Sequence, residues 1–88
     1  MELEYDHKKN RRNIEQRGIS FEFVARFEWD SAIVWQDNRR DYGEIRYCAL
    51  GYIGERIFQL AFTMRGDTLR VISLRKANQR EVKRYAET

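Results

Sequence analysis

The chain has 88 residues, with 17 Lys and Arg against 14 Asp and Glu, for a formal net charge of +3. That length supports one modest hydrophobic core, so a single domain over residues 1–88 is expected. Cys48 is the only cysteine, which excludes an internal disulfide and a cysteine-based zinc site. The opening Met1–Asp6 lacks the cationic start and apolar run of a signal peptide, and no segment reads as a membrane span, so a cytoplasmic location and no membrane partner are expected.

In chain order, Asp6 is a good N-cap for a polar helix over about His7 to Arg17, and Gly18 stands where a left-handed residue ends it. Ile14 and Ile19 supply nearly all of its apolar contact. A second helix is expected from Ser20, with Phe21, Val24, Ala25 and Phe27 covering a sheet. The pattern then turns to strands at Ala32–Trp35, about Glu44 to Ile53, Arg56 to Arg65 and Thr68 to Arg75. Between the first two, Asp37–Gly43 reads as one exposed loop.

Gly54-Glu55 and Gly66-Asp67 each put Gly first in a two-residue hairpin, the chemistry of a type II′ turn. Two tight turns set the register. Arg46 then opposes Thr63, and Thr63 opposes Arg70. Tyr47, Ala49, Phe58, Leu60, Phe62, Met64, Leu69 and Val71 form the core face, with Ser73 beside Leu60. Arg46, Thr63 and Arg70 make a row on the other face, extended by Arg65 and Glu44, with Ala61, Ile72 and Leu74 in its middle. A last helix follows Asn78, where Asn78 and Glu81 have capping-box spacing and Val82, Tyr85 and Ala86 form the apolar stripe.

Charge is unevenly placed. Between Met64 and Tyr85, Arg65, Arg70, Arg75, Lys76, Arg80, Lys83 and Arg84 face only Asp67 and Glu81, a segment that attracts phosphates or an acidic partner. Catalytic alternatives are thin. His7 is the only histidine, without a second soft ligand at metal-binding spacing, and neither Ser73 nor Cys48 has a nearby histidine for a nucleophilic pair. No Gly-rich phosphate loop is present and no cofactor is called for. Arginines with hydroxyl neighbours remain, a set that can hold phosphate oxygens and stabilise a phosphorane but accepts protons poorly. Tyr85, Lys76, Glu81 and Lys9 are the candidate proton-transfer groups. The competing reading is that these arginines are solvated edge residues that discourage aggregation.

Arg70-Val71-Ile72-Ser73-Leu74-Arg75-Lys76-Ala77, followed by Arg80-Glu81 and Tyr85, resembles the C-terminal signature of the BrnT family of bacterial type II toxin–antitoxin ribonuclease toxins. Tyr5-Asp6 with Lys9 and Asn13, then Gly18-Ile19-Ser20-Phe21-Glu22, is similar to the family's opening. Asp41-Tyr42-Gly43-Glu44 with Arg46 and Gly51 is similar to its middle. The resemblance implies an α+β, RelE-like fold: an antiparallel sheet with two N-terminal helices and a C-terminal helix. It further implies a metal-independent endoribonuclease in which the ribose 2′-hydroxyl attacks the adjacent phosphate. A ribbon-helix-helix antitoxin would neutralise it in a hetero-oligomer, with DNA contacted only through that partner.

Carried over by position, Arg46, Arg65, Arg70, Ser73, Arg75 and Tyr85 would be catalytic, and Lys9, Arg17, Thr63, Lys76 and Arg80 would contact RNA. Ser73 also reads as a satisfied strand hydroxyl, and Tyr85 as a helix anchor. Many family members carry Lys-His directly before the glycine matching Gly18, where this chain has Gln16-Arg17. That departure leaves a second reading: a non-catalytic module that binds an antitoxin or nucleic acid and regulates transcription with its partner.

Overall fold

A computed structural model describes all 88 residues. Five strands, β1 (Glu2–Glu4), β2 (Ile33–Gln36), β3 (Tyr47–Ile53), β4 (Arg56–Arg65) and β5 (Thr68–Lys76), form one sheet in the order β1-β5-β4-β3-β2. Two α-helices, α1 (His7–Arg17) and α2 (Gln79–Ala86), and two 3₁₀ segments, Phe21–Arg26 and Trp29–Ser31, complete the α+β fold. No helix is long and apolar enough to cross a membrane.

The sheet is mixed, not antiparallel throughout as expected. β1 pairs in parallel with β5, placing Glu2, Leu3 and Glu4 beside Thr68, Leu69 and Arg70. A three-residue strand carries too few alternations to announce itself in sequence. The two hairpins follow the turn chemistry: Ile53 pairs with Arg56 and Arg65 with Thr68. Gly54 and Gly66 have φ of 63° and 61°, while no non-glycine residue has positive φ, the sign pattern of type II′ turns. Thr63 opposes Arg70 as expected. The β3–β4 ladder ends at Tyr47 opposite Phe62, so Arg46 lies one residue beyond it.

A bulge in β5 changes which side chains share a face. Phe62 pairs with Val71 but Ala61 pairs with Ser73, leaving Ile72 as the extra residue. Ser73 therefore joins Ala61's face, not that of Leu60, and Arg75 pairs with Gln59 on the same face. Leu74 moves opposite Leu60 into the core, where both are fully buried. The tight turns fix register only up to the first irregularity, which explains why the unbroken pattern placed Ser73 and Leu74 on the wrong faces.

The N-terminal elements cover one side of the sheet. Phe21, Val24 and Phe27 are buried at a spacing of three, the period of a 3₁₀ helix, whereas Ala25 is exposed. The second helix is therefore a 3₁₀ segment and not an α-helix. Phe27 presses so close to β3 that a Cβ on Gly51 would lie 2.6 Å from Phe27 Cζ, so only glycine fits there. Met64, expected in the core, is 39% exposed near the hairpin end of β4.

α1 is held by polar contacts, not by Ile14, which is 44% exposed. The buried Asn13 amide donates to Ile19 O at 2.9 Å and to Leu74 O at 3.0 Å. Asn10 Oδ1 accepts the Phe21 N–H at 2.8 Å. β1 pairs only with Thr68–Arg70, so α1 satisfies the edge of β5 where β1 stops. Such buried bonds contribute about 1 kcal/mol each, and more is lost when one partner is removed.

α2 docks near β2 and β3. The expected capping box is complete, with Asn78 and Glu81 bonded reciprocally. Tyr85 meets Tyr52 edge-on at 5.6 Å between ring centres, its hydroxyl donates to Ser31 O at 2.8 Å, and the Arg84 guanidinium lies 4.0 Å over the Trp35 ring. Val82 and Ala86, expected to be buried, remain exposed because Tyr85 and Arg84 make the docking contacts.

Candidate functional site

The four arginines expected to hold phosphate all meet carboxylates within the chain. Glu4 on β1 accepts from Arg65 Nη1 at 3.1 Å and from Arg70 Nη1 through the same oxygen. Arg46 Nε lies 3.0 Å from Glu44 Oε2, and its guanidinium sits 4.2 Å over the Tyr42 ring. Arg75 makes a two-pronged pair with Glu81, at 2.7 and 2.8 Å. That fork holds the Glu81 carboxyl below its ordinary range, removing it as an acid near neutral pH, and raises Arg75 further above neutrality. The Thr63 hydroxyl is buried and donates to Ile45 O at 2.6 Å. Tyr85 is engaged at the α2 junction, and Arg80 is exposed on α2 without an ion pair.

Other candidates lie elsewhere. His7 packs edge-on against Tyr5 and lines a separate hollow with Leu3 and Glu4. Cys48 is buried, which pushes its thiol up and away from reactivity. Asp37, expected in an exposed loop, is buried: it accepts two bonds from the Arg39 side chain and one from Tyr42, which hold its carboxyl far below the usual range. This cluster folds the loop back toward the sheet.

Cations without carboxylate partners gather in a cleft between α1 and β5. Lys9, Arg12, Gln16 and Arg17 recur at helical spacing on one face of α1, and Ile72 and Ser73 at the bulge face them, enclosing about 180 Å³. Arg17 also lines an adjoining hollow with Ile19, Arg75 and Lys76. Arg17 Nη1 donates to Asn13 Oδ1 at 2.9 Å, so the buried amide that anchors α1 also orients this guanidinium. The bulge brings Ser73 to the cleft wall. Among the lining residues there is no carboxylate and no imidazole.

Of the expected site residues, the cleft and its adjoining hollow bring together Lys9, Arg17, Ser73, Arg75 and Lys76, and exclude Arg46, Thr63, Arg65, Arg70, Arg80 and Tyr85. Arg12 belongs to it and was not singled out from sequence, although its three-residue spacing from Lys9 was the available signal. Concentrated positive charge along a polar wall attracts polyanions and can stabilise charge building on a bound phosphate.

Fold and charge together define a class: small α+β proteins with a basic cleft at the edge of a sheet. A family model described as ribonuclease toxin, BrnT, of type II toxin-antitoxin system matches residues 5–81, and the chain belongs to that family. No curated protein matches it.

Proposed function

We propose that this chain is a RelE-like, metal-independent endoribonuclease that cleaves RNA in the α1–β5 cleft and is neutralised in the cytoplasm by a ribbon-helix-helix antitoxin. The observation that carries this reading is the convergence of Lys9, Arg12 and Arg17 on one cleft, with Lys76 on the hollow that adjoins it, none of them in an ion pair, in a ribonuclease-toxin family member. The ribose 2′-oxygen attacks the adjacent phosphorus, the P–O5′ bond breaks, and a 2′,3′-cyclic phosphate and a 5′-hydroxyl result. Arg17 stabilises the phosphorane through planar guanidinium contacts, while the Arg75 fork stays on Glu81. Lys9, Arg12 and Lys76 hold flanking phosphates, and the Ser73 hydroxyl donates to a non-bridging oxygen. With no imidazole or carboxylate on the wall, solvent takes the 2′ proton and returns one to the 5′-oxygen.

Arg65 and Arg70 form a secondary phosphate contact on the sheet face, where Glu4 competes with the RNA. A non-catalytic antitoxin-binding module is the second reading, favoured by Arg17 standing where many family members have histidine. Induced expression in a bacterial host separates the two. The ribonuclease reading expects growth arrest with fragmented cellular RNA, relieved by co-expressing a ribbon-helix-helix protein encoded beside the gene. Normal growth with intact RNA, despite soluble protein that binds this partner, would support the non-catalytic module.

A further inference from the structure

The basic cleft does not end at Lys76. Lys76 also lines a hollow of about 260 Å³ between the β3–β4 hairpin and the start of α2, where Tyr52, Ile57, Ala77 and Val82 supply aromatic and apolar wall and Glu55 and Arg56 supply the polar rim. Arg17 lines both the first and the second hollow, and Lys76 both the second and this third one, so the three are neighbours along one path of the surface. Their linings differ in kind. The first two are walled mainly by cations and amides, suited to a sugar–phosphate backbone, whereas the third combines an aromatic ring with an exposed aliphatic side chain, Val82.

Glu55 is the one carboxylate lining this path, and it is in no ion pair even though Arg56 and Lys76 line the same hollow. A free carboxylate opposes phosphate binding unless a donor group meets it. An unpaired base supplies one: its face stacks on aromatic and apolar side chains, and its edge carries N–H donors. Guanine presents two adjacent donors, N1–H and the N2 amino group, to the two oxygens of a carboxylate. The other three bases offer no such adjacent pair.

We propose that this hollow is a base-binding subsite, selective for guanine, that captures an unpaired nucleotide flanking the phosphate held in the cleft. The proposal rests on the RNA-cleaving reading and adds to it a source of sequence preference: Glu55 reads the guanine edge, Tyr52 and Val82 hold the ring, and Lys76 bridges to the backbone.

The test uses the full chain and uncleavable 2′-O-methyl oligonucleotides: a uridine hexamer, and the same hexamer with one guanosine, inosine or adenosine at each position in turn. Binding is followed by fluorescence anisotropy. The guanosine oligonucleotide at one position is expected to bind about tenfold tighter than the uridine hexamer, in line with paired donor–acceptor readout. Inosine, which lacks the N2 amino group, should lose most of that gain. Glu55→Gln, at an exposed turn, should abolish the guanosine preference while leaving affinity for the uridine hexamer at or above the wild-type level, and Val82→Asp should weaken the guanosine oligonucleotide most. Equal binding of all sequences by the wild-type chain, or a guanosine preference that survives Glu55→Gln, overturns the subsite alone. Absence of binding to any oligonucleotide overturns the RNA reading beneath it.

Discussion

Arg17→Gln should lower single-turnover RNA cleavage about 100-fold, the loss typical of removing one donor from a developing oxyanion. Arg17 is exposed at the last turn of α1, and its one side-chain hydrogen bond goes to Asn13 Oδ1. The contacts that hold α1 to the sheet run instead through the Asn13 amide donors to Ile19 O and Leu74 O, which the substitution leaves intact. Thermal unfolding of the variant should match the wild type while its cleavage rate collapses. An unchanged rate at saturating protein would place the scissile phosphate outside the α1–β5 cleft.

Arg17→His probes the missing proton acceptor. The wild-type cleft wall has no imidazole or carboxylate, so its cleavage rate should rise about tenfold per pH unit between pH 6 and 8, as expected when hydroxide removes the 2′ proton. A histidine at position 17 is neutral above its pKa, ordinarily about 6.5, and surrounding cations oppose its protonation. Its rate should therefore level off above roughly pH 6.5 and exceed that of Arg17→Gln by about 100-fold at pH 7, the scale of general-base assistance. The sign follows from the acceptor being the deprotonated form: activity is lost as pH falls through the imidazole pKa. Identical pH profiles for the His and Gln variants would show that position 17 does not face the 2′-hydroxyl.

Residues with local chemistry were legible in the sequence. Asp6, Gly18, Asn78 and Glu81 set the helix ends where expected, and Gly54 and Gly66 set both hairpins. Local turn chemistry acts over two to four residues and survives any tertiary context that does not strain it. What escaped was non-local. β1 exists because β5 offers an edge beside Thr68–Arg70, not because Glu2–Glu4 has strand character of its own. The bulge at Ile72 arises within a β5 that must serve both β4 and α1, and it alone decides that Ser73 faces out and Leu74 faces in.

The candidate site shows the same division. Positive charge near the C-terminus was visible, but which cations are spent on internal carboxylates was not. Glu4 reaches Arg65 and Arg70 across more than 60 positions of chain, and Glu81 folds back onto Arg75. These pairs shift the free positive charge from the sheet-face row to the cleft beneath α1, and with it the expected place of cleavage.

The most direct measurement is cleavage of a labelled single-stranded RNA by the purified chain in excess EDTA, with a matched RNA carrying one 2′-O-methyl group at the cleaved nucleotide. Cleavage in EDTA with a 2′,3′-cyclic phosphate product, blocked at the methylated position, is the predicted result. Cleavage that needs a divalent cation, or that proceeds through the methylated nucleotide, would contradict the account.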